Sequence, residues 1–203
     1  MEKLNRFLLG DIQELASLKT HWEEWGVEYD RRVSDGGRSS DFQWKSAYNS
    51  LMSQLELLSK NHCSFCDSYP LGKDSKQTIE HYLPKNEYPR KPYDWTNFYL
   101  SCDKCQNFSN PPFIDNLKPD YTQHYFDEIF YFEPISGEIK IQESLENMDR
   151  ELFDIAQEFL QRYGINCDKN DKTTRRMARR MIFRNIKNSF LNKSAANRNR
   201  DDF

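Results

Sequence analysis

Two cysteine pairs, Cys63-Ser-Phe-Cys66 and Cys102-Asp-Lys-Cys105, have the spacing that most directly implies chemistry in this chain. A CxxC turn lets two thiolates reach one tetrahedral ion, and two such turns complete a four-sulfur shell, the ligand set of a structural zinc site. A redox-active CxxC would call for a surrounding βαβ pattern, which is missing, and would not account for two copies. Disulfides suit secreted chains rather than a reducing compartment. The gap between the pairs, 35 residues from Asp67 to Ser101, exceeds the roughly 15 to 20 of a zinc ribbon, so a segment has been inserted between the two knuckles.

That segment reads Thr78-Ile79-Glu80-His81-Tyr82-Leu83-Pro84-Lys85, then a loop, then Asp94-Trp95-Thr96-Asn97 running through Phe98-Tyr99-Leu100-Ser101 into Cys102. An acid beside a histidine on a strand, an asparagine in the following turn, and amides opening a helix supply a base, a pin for it and metal ligands. Those are the parts of a phosphodiesterase. A Glu-His pair alone is usually an ordinary surface or core pair; the cysteine frame gives this one its weight. The other histidines lack that frame. His62 adjoins Cys63 but four thiolates already close a structural site, and His21 and His124 are expected to be structural, as is Cys167, a small apolar residue.

The elements that must position these residues follow from periodicity. Residues 4–25 are predicted helical, and a second helix starts after the break at Ser34 to Asp41, with Asp41 as N-cap and a core stripe of Trp44, Tyr48, Leu51, Leu55 and Leu58. Beyond the cysteines come a hairpin, Ile129 to Pro134 and Glu138 to Gln142, and a helix from about Asn147 to Tyr163 that stops at Gly164. The expected fold is α+β: a zinc-stapled centre within a mainly α-helical chain, with one extra hairpin. Its segments are 1–60 (helical), 61–112 (the zinc-bearing centre) and 113–203 (hairpin and C-terminal helices), all in one compact domain.

Of 203 residues, 14% are aromatic, enough to exclude a disordered chain. No apolar run approaches the roughly 20 residues of a membrane helix. The opening MEKLNRFLLGDIQEL lacks a signal-peptide layout, so a cytoplasmic location without membrane contact is expected. The net charge of −3 hides a segregated end: from Lys172 to Arg200 there are ten basic residues and no acid. On a helix Lys172, Arg175, Arg176, Arg179, Arg180, Arg184 and Lys187 share one broad face, opposite Met177, Ala178, Met181, Ile182 and Ile186. Such a face suits a phosphate backbone, a solvated surface, or an acidic partner.

The strings IEHYLPK and WTNFYLSCDKC, framed by the cysteine pairs, resemble the HNH endonuclease family. Within it they look like the PtuB-like HNH subunits of the Septu and retron-associated anti-phage defence systems, and YFEPISGEI fits the same group loosely. The resemblance implies a ββα-metal fold and a nuclease hydrolysing DNA or tRNA. In it His81 would be the general base, Asn97 the residue that orients it, Glu80 a ligand of Mg²⁺ or Mn²⁺, and Zn²⁺ purely structural. It also implies an ATPase partner (PtuA-like) encoded nearby. Lys85, Arg175, Arg176, Arg179, Arg180, Arg184 and Lys187 would then contact nucleic acid. Family members place His or Asn directly after the second cysteine pair, where this chain has Gln106; Asn110 is the other ligand candidate. Because Asn110 precedes Pro111 and is pushed out of helical geometry, Asn107 is its substitute. A catalytically weakened nucleic-acid-binding or assembly subunit, or a plain zinc-stabilised interaction domain, are the other function classes.

Overall fold

The segment inserted between the cysteine pairs folds, in the computed structural model of the chain, as two antiparallel strands, β1 (Gln77–His81) and β2 (Phe98–Cys102). The structure describes residues 4, 16–37, 44–72, 75–108, 118–120, 126–166 and 179–189. Gln77 lies opposite Cys102 and His81 opposite Phe98. All five residues of β2 are buried, which is why FYLSC reads as a continuous apolar run rather than an alternation. Helix α1 spans Ala16–Ser34, helix α2 spans Trp44–Ser59, and helix α3 spans Asp103–Phe108. α2 packs on β2, and α3 on both strands.

Of the predicted α2 stripe, Leu51 and Leu55 are buried and Leu58 is half-buried, while Leu57, off the stripe, is exposed; the Trp44 and Tyr48 side chains lie outside the described residues. The helix ends where Lys60 and Asn61 take left-handed conformations (φ 50° and 63°) that turn the chain into the first cysteine pair. Phe65 from that pair stacks on Tyr82 (6.4 Å) and tilts against Tyr99 (5.8 Å), so one aromatic cluster joins the knuckle to the sheet. α1 extends nine residues past its expected end at Trp25, through Gly26 to Ser34, while residues 5–15 and the proposed N-cap Asp41 lie outside the described residues.

The chain divides into two units, Met1–Asp127 and Glu128–Phe203. Helix α4 (Phe126–Ile129) leads into β3 (Phe130–Glu133), which pairs antiparallel with β4 (Glu138–Ile141) around Gly137 (φ 75°). The helix expected from 147 to 163 is two: α5 (Leu145–Met148) and α6 (Arg150–Arg162). Asp149 separates them because its side chain caps α6, accepting from the Leu152 N–H at 2.9 Å. Leu152, Ala156 and Phe159 form the buried stripe of α6, and Gly164 (φ 50°) follows its end. Among the described residues no helix is long and apolar enough to cross a membrane.

The basic segment departs from expectation. Residues 179–189 are helical, but Arg179 is buried rather than facing solvent. Its Nε donates to the Gly137 carbonyl (2.8 Å) and its Nη2 to the Ile165 carbonyl (3.1 Å) and Asn166 Oδ1 (3.3 Å). A guanidinium has five donors in a rigid fork, enough to satisfy carbonyls from a hairpin turn and a helix end together. Arg179 therefore ties together elements of the second unit through these acceptors. Arg180, Arg184 and Lys187 are exposed, and so are Met181, Ile182 and Ile186 on the opposite side. Arg175 and Arg176, with Lys172, Met177 and Ala178, lie outside the described residues. Arg179→Ala should lower unfolding free energy by about 2 to 4 kcal/mol because it strands buried acceptors, whereas Arg180→Ala should change it by less than about 0.5 kcal/mol. Urea unfolding of the two variants checks this, and equal effects would refute it.

Candidate functional site

The four cysteines converge. Their sulfurs lie within 4.8 Å of one another and all four residues are buried. Zn–S bonds of about 2.3 Å in a tetrahedron require sulfur pairs about 3.8 Å apart, and Cys66 Sγ and Cys102 Sγ are separated by 3.8 Å. The first pair is folded by the Cys63 N–H on the Ser68 carbonyl (3.0 Å) and the Asp67 N–H on the Cys63 carbonyl (3.0 Å), with Asp67 left-handed at φ 60°. The second pair straddles the junction of β2 and α3. Backbone N–H groups of Cys102 and Cys105 donate to Cys63 Sγ and Cys102 Sγ, both at 3.3 Å. Burial pushes the Cys63 and Cys105 thiols well up, so anionic sulfurs at this spot require a cation among them. The donor set fits zinc. His62 is engaged elsewhere, with Asp67 Oδ1 at 3.0 Å and stacked on Tyr69.

β1 delivers Glu80, which is buried, and His81 at its end. His81 Nε2 lies 3.0 Å from the Pro92 carbonyl. A carbonyl only accepts, so Nε2 carries the proton and the ring's lone pair is on Nδ1. Burial and then the nearby Lys85 charge hold the imidazole pKa down to about 3, with the Pro92 bond pulling the other way. The ring is therefore neutral at pH 7. Burial lowers the Lys85 ammonium as well, opposed by the charge of Glu80. Lys85 is thus within electrostatic reach of both Glu80 and His81.

Asn97 does not orient His81 by a direct bond in the hydrogen bonds its amide makes to the loop. Its Nδ2 donates to the carbonyls of Leu83 (3.1 Å) and Lys91 (3.0 Å), and its Oδ1 accepts the Leu83 N–H (2.6 Å). It clamps both ends of the loop between the strands, and the residue after Lys91 is the Pro92 whose carbonyl holds His81. Asp94 caps the 3₁₀ turn Trp95–Asn97 by accepting from Thr96 N and Oγ1 (3.0 and 2.8 Å), and pairs with Lys91 at 3.0 Å. Burial alone would raise this carboxyl; those donors hold it below its ordinary range. Gln106, on α3, donates from Nε2 to the Ile79 carbonyl at 3.2 Å, next to Glu80 in sequence. The Asn107 side chain and Asn110 lie outside the described residues.

The residues missed from sequence are those that hold the loop. Asp94 carried a legible signal, Asp-x-Thr at the start of a turn. Pro92 and Lys91 act through main-chain carbonyls, which leave no side-chain signature.

A 49-residue stretch is 39% identical to the Septu protein PtuB of Bacillus thuringiensis, covering 24% of this chain and 19% of that protein. The alignment spans about a fifth of the relative's length. No family model and no solved structure matches.

Elemental analysis should find one zinc per chain, and Cys63→Ser or Cys105→Ser should lose both the metal and the folded first unit, because metal binding at such sites is folding free energy. Soluble, folded protein without metal would refute this. The His81 ring makes a separate pH prediction. Its folded pKa of about 3 lies below the unfolded 6.5, so its stabilising contribution is complete above 6.5 and is lost progressively as pH falls toward 3. Between about pH 7 and about pH 5.5 the melting temperature of His81→Gln should fall less than that of wild type; equal slopes would show that the ring is not held neutral.

Proposed function

We propose that the chain is a metal-dependent HNH-type endonuclease hydrolysing phosphodiester bonds of DNA or tRNA, working as the nuclease subunit of a bacterial defence assembly with an ATPase partner. The observation that carries this reading is the His81 imidazole, neutral and pinned through Nε2 to the Pro92 carbonyl, next to Glu80 on a strand framed by four converging cysteines. The partial similarity to a Septu protein supports the assembly.

In this reading Nδ1 of His81 takes a proton from water as it attacks phosphorus, and cleavage leaves a 5′ phosphate. A pKa of about 3 keeps the imidazole in its basic form but makes it a weak base; an anionic phosphate arriving beside the ring raises its proton affinity. Asn97 keeps the loop, and through it the carbonyl partner of His81, in place. Lys85 offers a positive charge to the phosphate. Glu80, with Gln106 and either Asn107 or Asn110, would hold Mg²⁺ or Mn²⁺, which supplies charge stabilisation at the phosphate and the departing 3′ oxygen. Zinc takes no part in the reaction. Arg175, Arg176, Arg180, Arg184 and Lys187 are proposed to bind phosphates. A second reading of the same segment, a protein-docking helix, is favoured by the exposed Met181, Ile182 and Ile186 among those charges.

His81→Ala should reduce cleavage by about 10² to 10⁴ while folding, zinc content and substrate binding persist. Glu80→Ala should raise the Mg²⁺ or Mn²⁺ concentration required, Asn97→Ala should fall between wild type and His81→Ala, and Gln106→His should shift preference toward a transition metal. Nicking of supercoiled plasmid and cleavage of tRNA by the partner-activated protein measure all four. If His81→Ala cuts as fast as wild type, catalysis does not lie in this motif; binding without cleavage by wild type marks the weakened-subunit alternative.

A further inference from the structure

The His81 ring is located by a main-chain carbonyl, so whatever fixes the segment around Pro92 fixes the ring. Asn97 holds that segment at the Lys91 carbonyl. Further contacts come from α1. Lys91 Nζ sits 4.3 Å over the Trp22 ring, Trp25 meets Tyr93 edge-on at 5.6 Å, Tyr29 meets the same ring at 6.4 Å, and Asp30 pairs with Arg90 at 3.1 Å. Residues 22, 25, 26, 29 and 30 recur at three and four, which makes them one stripe of a helix. That stripe touches Arg90, Lys91 and Tyr93, the residues bracketing Pro92.

Gly26 is at the centre of the stripe. Glycine is the poorest interior helix former after proline, yet α1 runs through it without a break. A methyl group at this position would stand 2.2 Å from the Arg90 carbonyl oxygen, 2.9 Å from its carbon and 3.2 Å from Cα. All three are backbone atoms, so no side chain can swing aside; the segment itself would have to retreat by roughly an ångström. Were the Pro92 carbonyl, two residues on, carried away from His81 by the same amount, its bond to Nε2, now 3.0 Å, would pass out of hydrogen-bonding range.

We propose that α1 is a positioning element for the candidate base: the Gly26 notch seats the Arg90 main chain, sets the Pro92 carbonyl, and thereby selects the Nε2–H tautomer of His81. This deepens the nuclease reading and rests on it for its catalytic meaning, but the tautomer is observable whether or not the chain cleaves anything. The ¹⁵N imidazole resonances of the full 203-residue chain, purified with zinc, report it, and His81→Gln assigns the signal among the four histidines.

Wild type should show His81 in a single Nε2–H form. Gly26→Ala should give a mixture of tautomers, and on a cleavable substrate a kcat at least about tenfold lower with KM little changed. Trp25→Leu, which keeps the notch but removes the ring against Tyr93, should move the tautomer in the same direction and serves if Gly26→Ala fails to fold. Leu55→Ala destabilises the first unit from α2 and should leave the tautomer as in wild type, separating positioning from general loss of stability. A single Nε2–H form in every folded α1 variant, or the same mixture in Leu55→Ala, overturns the proposal. Failure of wild type to cleave DNA or tRNA, with the tautomer responding as stated, overturns the nuclease reading alone.

Discussion

Four sulfurs brought within 4.8 Å of one another in a buried setting are the constraint on which the first unit depends. They close a 35-residue excursion whose ends, Cys66 and Cys102, meet at 3.8 Å. Closing a flexible loop of that length costs about 3 kcal/mol from the length-dependent part alone, which bonds to an ion held by the four sulfurs would offset. Once the ends are tied, the β1 and β2 strands within the excursion need only to pair locally. Ser64 assists by donating its N–H to the Leu100 carbonyl at 2.9 Å, which stitches the first cysteine turn to β2.

Inside this frame the polar work passes through the main chain. The Asn97 amide holds two loop carbonyls and one N–H; the Pro92 carbonyl holds the imidazole; the Gln106 amide holds the Ile79 carbonyl. Side chains of ordinary type thus fix the backbone, and the backbone fixes the His81 ring. In the nuclease reading such an arrangement would preorganise the site, since few rotamers would remain to be selected when a substrate arrives.

The legibility of the molecule followed the same division. Cysteine spacing, the α2 stripe and the hairpin around Gly137 are local patterns, and each could be placed from residue types alone. Glu80 and His81 could be picked out because a frame of recognisable residues surrounds them. What could not be read were pairings that side-chain type does not encode. Asn97 was expected to bond across the loop and so orient His81; that its partners are Leu83 and Lys91 depends on a loop path the sequence does not specify. Arg179 and Arg180 are chemically equivalent in a helical projection, and only the carbonyls of Gly137 and Ile165 decide that the first turns inward. The longer reach of α1 was hidden because glycine in a helical pattern lowers the expectation of continuity, while here it marks close approach of another backbone.

That approach has a consequence for how the two positions tolerate divergence. At position 90 it is the carbonyl that meets the helix, a group common to all amino acids, and the Arg90 side chain adds only an exposed ion pair with Asp30 of the kind that contributes little. Position 26 has no such latitude, because every alternative brings a Cβ into the same oxygen. Two residues in one contact are therefore under unequal constraint: drift can rewrite the loop side almost at will, while the helix side is confined to the smallest residue available.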